Sequence, residues 1–227
     1  MEISYLKACE PDKIRKIVRK SDGCKLFYVP YHIYSGDTTL VLCPLVFGEL
    51  PSINNIFGIR NRYLREARER EGNPSFQRIE SEPLDPSEVI GILRKMIEDI
   101  DLLDRDSLRD ACSYAKELQK WNLSRIFLIP MTRYPSHDRS MAAARMSSIV
   151  AKAVVEELKL RDVGSLKLVG VIYCPEMLVS SNNKVQIYEL LARGPRKDQI
   201  HTELYNFARS RLKEVLDDIP FVRTSLI

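Results

Sequence analysis

The stretch Ser124-Arg125-Ile126-Phe127-Leu128-Ile129-Pro130-Met131-Thr132-Arg133-Tyr134-Pro135-Ser136-His137-Asp138-Arg139 decides the reading of this chain. Its apolar run, Ile126 to Met131, is short and follows a helix that should stop near Trp121, so a buried strand closed by Pro130 is predicted. From Ser140 to Leu158 the positions Ala142, Met146, Ile149, Val150, Ala153, Val154 and Leu158 recur at helical spacing. A strand could not bring them to one face, so an interior helix lying on a sheet is predicted. The loop Thr132 to Asp138 then emerges at the carboxyl end of a strand, the usual ligand position in open α/β sheets. Arg133 and Arg139 flank the helix start, where positive charge opposes the macrodipole. Solvation or a bound phosphate or carboxylate would each relieve that conflict.

The remaining pattern also alternates strands and helices. Glu2 to Ala8 reads as a strand, and Pro11 opens a helix through Lys20 with a basic face. Lys25 to Tyr34 and Thr38 to Phe47, split by Ser35-Gly36-Asp37, read as a hairpin, with Pro30 marking an edge or bulge. Tyr28, Tyr31 and Tyr34 are either core rings or stacking platforms. A helix is predicted over 53–70, on which Arg60 and Arg62 lack the glutamate partners of their neighbours. Phe76 to Ile79 suits a loop or a short edge strand, Asp85-Pro86-Ser87-Glu88 is a strong helix start, and a second helix should run from Asp106 or Ser107 to Trp121.

Leu166 to Cys174 should be a strand ended by Pro175. Met177 to Leu191 is either a hairpin or a strand followed by a short helix, the β-branched residues favouring the hairpin. Arg193 to Asp198 reads as a basic loop leading to one final helix with Ile200, Leu204, Phe207, Ala208, Leu212 and Val215 as its stripe. The expected fold is α/β: a mixed, largely buried sheet of five to seven strands with helices on both faces. It is read as a single domain, 1–227, with 75–122 as an acidic helical insertion or lobe.

With 227 residues, 44% of them hydrophobic, the chain can bury one large core or two small ones. No apolar run approaches the ~20 residues of a bilayer span, so no membrane partner is expected. The N-terminus lacks the order of a secretory signal. The five cysteines include no close pair, which argues against a disulfide framework or a cysteine zinc site and for a reducing, cytoplasmic setting. His32, His137 and His201 show no metal spacing, so no metal is expected, and no sequence feature names a cofactor. The net charge of +4 is unevenly spread: Glu80 to Glu117 is acidic, and Arg193 to Lys213 is basic. Those two surfaces fit either a polyanion partner or a homo-oligomer.

Catalytic signatures are missing. The glycines are isolated, which excludes phosphate-loop and dinucleotide fingerprints, and neither a GxSxG elbow nor an HExxH pair occurs. Three basic groups remain as candidate anion contacts: Arg60 and Arg62; Arg133 and Arg139 with Thr132, Tyr134, Ser136 and His137; and Arg193, Arg196 and Lys197. Nucleic acid or nucleotide is the expected ligand class, with a nucleotide-processing enzyme or an interaction subunit as alternatives.

The order helix (Leu108 to Ala115), strand (Ile126 to Met131), loop with Tyr134-Pro135, alanine-rich helix and strand (Leu168 to Tyr173) resembles the second half of macro domains. That resemblance covers less than half the chain and implies ADP-ribose binding, with Thr132 to Ser136 wrapping the phosphates. The sequence departs from the family in lacking its asparagine and glycine-rich stretch at Cys43 to Gly58, and in carrying Thr132-Arg133-Tyr134 where the family has small residues.

Overall fold

The computed structural model describes residues 1–19, 21, 23–47, 58–101, 152–181, 184–206 and 210–221. Two long strands form its spine. β2 (Gly23–Gly36) and β6 (Leu166–Ser181) run antiparallel in register from Gly23 opposite Ser180 to Gly36 opposite Leu166, with one irregularity between Ile33 and Tyr34. Both are rich in β-branched and aromatic residues, which suit a pleated surface covered on both faces.

Each long strand shares its outer side between two partners. β6 pairs in parallel with β1 (Glu2–Leu6) over Gly170 to Tyr173, then antiparallel with β7 (Lys184–Leu191) over Glu176 to Ser181. β2 pairs in parallel with β5 (Gln77–Arg78) at Phe27 and Tyr28, then antiparallel with β3 (Thr39–Leu42) at His32 to Ser35. The short strands β4 (Arg68–Glu69) and β8 (Gly194–Lys197) border β1 and β7, which completes a mixed eight-stranded sheet.

Proline has no amide hydrogen to give a ladder, and the two strand prolines sit where none is required. Pro30 falls between the β5 and β3 pairings, and Pro175 between the β1 and β7 pairings. Pro30 therefore marks a local edge, as expected, but Pro175 does not end its strand. The seam lets β6 pass straight through it.

Helices cover both faces. Phe27, Val29, Tyr31, Ile172, Cys174 and Leu178 point to one face, packing with Leu204 of α4 (Gln199–Asn206) and Leu212 and Leu216 of α5 (Arg211–Asp217). Cys24, Leu26, Tyr28, Val171, Tyr173 and Met177 point to the other, beneath Ile14 and Val18 of α1 (Pro11–Val18). Further along the sheet, Tyr34, Leu40 and Leu42 meet Val89, Leu93, Met96 and Ile100 of α3 (Pro86–Asp101), with Val155 and Leu160. All three tyrosines of β2 are thus core rings.

Several sequence expectations need correction. β3 stops at Leu42, and Pro44–Phe47 forms a helical turn, α2, instead of more strand. The helix predicted over 53–70 is not formed where it is described: Ile59 bridges to Leu42, and a 3-10 turn, Asn61–Arg65, precedes β4. The basic segment after Arg193 is strand β8, and α4 and α5 replace the single final helix. β5 is the expected short edge strand near Phe76 to Ile79, whereas β4 and β8 are too short to carry a periodic signal, which is why the strand count exceeds the expected range. The Asp85 start of α3 is as predicted, with Asp85 Oδ1 accepting from the Ser87 amide at 2.8 Å. The expectations for Asp106 to Trp121 and for the Ser124–Arg139 stretch lie outside the described residues; helical residues 152–157 belong to the end of the predicted alanine-rich helix.

Two glycines test this packing in opposite directions. A Cβ at Gly36 would lie 2.1 Å from the Ser165 carbonyl oxygen, whereas one at Gly91 in α3 meets nothing within 4 Å. Gly36→Ala should destabilise by about 1–3 kcal/mol or more through overpacking. Gly91→Ala should stabilise by about 0.5–1 kcal/mol. Denaturant midpoints of the two variants check both signs.

Candidate functional site

The β6–β7 register sets Glu176 directly opposite Glu189, two carboxylates in the interior of a sheet. Opposed like charges are unfavourable even on a surface, and burial adds the loss of hydration. Cations must come from elsewhere in the chain, and the irregular segment after Gly58 supplies two. It is moored on β3 by Arg60 N–H donating to the Val41 carbonyl at 2.7 Å, by Asn61 Oδ1 accepting from the Val41 amide at 2.8 Å, and by Asn61 Nδ2 donating to the Thr39 carbonyl at 2.6 Å. This mooring replaces the predicted helix and aims Arg60, Arg62 and Tyr63 at the carboxylates. Arg62 pairs closely with Glu189 Oε1, which also accepts from the Tyr63 hydroxyl at 2.7 Å.

The third cation comes from α4. Asp198 caps that helix, its Oδ1 accepting from the His201 amide at 3.0 Å. Its Oδ2 lies 3.3 Å from Arg60 Nη2 and 3.6 Å from His201 Nδ1. His201 Nδ1 in turn donates to Glu176 Oε2 at 2.7 Å, and its Nε2 is 3.5 Å from the Tyr31 hydroxyl. Glu176, Glu189 and Asp198 are thereby balanced by Arg60, Arg62 and a protonated His201. Side-chain exposure is 3% or less for both glutamates, Asp198 and His201, 13% for Arg60 and 48% for Arg62. Only Arg62 reaches the surface to a substantial degree.

The proton affinities follow from burial and neighbours. Burial pushes Glu176 up to about 7, although His201 works against it. Burial would also raise Asp198, but His201 and Arg60 outweigh that cost and bring it down to about 2. Burial opposes the charge on His201, and Asp198 and Glu176 overcome it, so the imidazole holds its proton well above the usual histidine range. His32, buried without a carboxylate, is driven down to about 4. The cluster can therefore share a proton between His201 and Glu176 away from bulk water.

This geometry overturns the expectation that Arg60 and Arg62 are unpartnered. Both are spent on internal carboxylates, and a phosphate would have to compete with them. Arg193, Arg196 and Lys197 are exposed, on and beside β8. Thr132, Arg133, Tyr134, Ser136, His137 and Arg139 lie outside the described residues, as does most of the segment resembling a macro domain. Sequence reasoning missed Glu176, Glu189, Asp198, His201 and Tyr63. The available signal was a glutamate inside each of two apolar strand runs, Pro175-Glu176-Met177-Leu178 and Tyr188-Glu189-Leu190-Leu191. Comparison with protein-family models, curated proteins and solved structures finds no match.

Removing one partner of a buried ion cluster leaves a charge uncompensated, so Arg60→Met should cost about 3–5 kcal/mol. Tyr63→Phe should cost about 1.5–3 kcal/mol for a hydrogen bond to a charged group. A second expectation concerns pH. A group whose proton is held more tightly in the fold stabilises it below its unfolded pKa, and that contribution is lost as pH rises through the folded value. For Glu176 this span is 4.5 to about 7. His32 has the opposite sign over 6.5 down to about 4, losing stability as pH falls, so the wild-type curve alone mixes the two. In chelator-treated protein, Glu176→Gln should gain stability relative to wild type as pH rises from 4.5 to about 7. A pH-independent difference in urea midpoints would contradict this.

Proposed function

We propose that the protein binds a phosphate-bearing polyanion, nucleic acid being the class that fits best, along β8 and the adjoining helix α1. The observation that carries this reading is the meeting of two basic segments far apart in sequence. The Cys9 amide donates to the Leu190 carbonyl at 2.9 Å and Ala8 bridges to Leu191, which brings the start of α1 beside the β7–β8 turn. Lys13 Cδ then lies 3.9 Å from where a Cβ on Gly194 would be.

Burial of Ile14 and Val18 turns the rest of α1 outward, with Lys16 and Arg19 exposed. On β8 the exposed Arg196 and Lys197 project to opposite sides of an edge that has no further strand among the described residues. Lys16, Arg19, Arg193, Arg196 and Lys197 make no ion pair with the described residues. Free cations spaced along an edge gain counterion-release free energy on meeting a polyphosphate. The same charges oppose edge-to-edge strand pairing, which favours a polyanion over a second copy of the chain at this place. No helix among the described residues is long and apolar enough to cross a membrane.

Fluorescence anisotropy with a labelled homopolymeric oligonucleotide tests the reading. Affinity should fall steeply with salt, and Arg196→Glu with Lys197→Glu should weaken it by about tenfold or more and flatten the log–log slope by roughly 0.7–0.9 per lost phosphate contact. The matched reversal Arg94→Glu with Lys95→Glu, on the exposed side of α3, should leave affinity nearly unchanged. Salt-insensitive binding, or equal loss in both pairs, would refute it.

A further inference from the structure

We propose that Glu176, Asp198 and His201 form a binding site for a divalent transition-metal ion, with Zn²⁺ and Mn²⁺ as the natural candidates. Each side chain offers one ligand atom, and the three atoms lie within 4.8 Å of one another. Two carboxylate oxygens and one imidazole nitrogen are a donor set suited to borderline and hard divalent ions. Ligand atoms around an ion bound at about 2.0–2.2 Å lie roughly 3–3.5 Å apart. The separations here, 2.7 Å from His201 Nδ1 to Glu176 Oε2 and 3.6 Å to Asp198 Oδ2, bracket that spacing.

A second, independent observation points to a missing ligand. Glu176 is fully buried, its Oε2 is met by His201, and its Oε1 has no hydrogen-bond partner among the described residues. A buried carboxylate oxygen without a donor is costly, and the proton on His201 cannot serve both oxygens. An ion held by both oxygens of Glu176 would remove the deficit.

The surroundings are those that orient metal ligands. Arg60 holds Asp198 Oδ2, the His201 amide holds Asp198 Oδ1, and the Tyr31 hydroxyl faces the other ring nitrogen of His201. Glu189 keeps Arg60 and Arg62 occupied, which limits their repulsion of an ion. On binding, the proton on His201 Nδ1 passes to solvent and the nitrogen lone pair takes the ion. Sequence spacing hid the set, because Asp198 caps α4 and His201 lies in its first turn, whereas Glu176 comes from β6.

The test uses the full chain stripped with a chelator and then titrated with Zn²⁺ by calorimetry, with Co²⁺ as the spectroscopic probe. One equivalent should bind per chain, raise the melting temperature and give a Co²⁺ ligand-field spectrum that Zn²⁺ abolishes. Glu176→Gln should weaken binding by at least about 10–100-fold. Should that variant fail to fold, Mn²⁺ added to the unsubstituted protein keeps the proposal falsifiable: it should broaden the His201 ring resonances, and excess Zn²⁺ should restore them. Absence of stoichiometric binding, or a bound ion that leaves the His201 resonances sharp, would overturn the site.

Discussion

Two buried glutamates face each other across the β6–β7 ladder, and much of the surrounding structure answers that constraint. A sheet interior that placed apolar residues at Glu176 and Glu189 would need neither the ordered segment after Gly58 nor the polar start of α4. Instead Arg60 and Arg62 arrive from the segment after Gly58 and His201 from α4, and Tyr63 and Asp198 link them into one network. Buried ion clusters add little net stability compared with well-packed apolar residues, but breaking one is expensive. The effect here is to tie β3, β6, β7 and α4 into a fixed arrangement.

That constraint also redistributes function. Guanidinium groups engaged with buried carboxylates are poor phosphate ligands, so the interior loses the role that Arg60 and Arg62 suggested. Lys16 on α1 and Arg196 and Lys197 on β8 are exposed and make no ion pair with the described residues. The interior instead offers a proton, or an ion in its place, a pair of carboxylates and an imidazole. β7 joins the buried cluster to this exposed edge, its Glu189 lying opposite Glu176 on one ladder and opposite Arg196 of β8 on the other.

Elements with strong local signals were legible in the sequence. β1, α1, the β2–β3 hairpin, the Asp85-capped α3 and the β6–β7 hairpin all announce themselves through periodicity, capping or turn residues. What failed depended on tertiary contact. Arg60 to Arg65 has helical composition, but the Asn61 side chain and the Arg60 amide find partners on β3, and that overrides propensity. Pro175 looks like a strand end until its place at the β1–β7 seam is known. The buried cluster was illegible for a related reason: Glu176, Glu189, Asp198, His201 and Arg60 share no spacing, and only strand register brings them together. Charge along the chain says how many cations exist, not which are already taken.

The protonation state of His201 in the metal-free protein tests the central claim most directly. Ring nitrogen chemical shifts from ¹⁵N-labelled protein at neutral pH distinguish the imidazolium from either neutral tautomer. The account predicts an imidazolium at His201, with its proton directed at Glu176, alongside a neutral His32. A neutral His201 under those conditions would leave Glu176 without its cation and contradict the charge balance on which the rest stands.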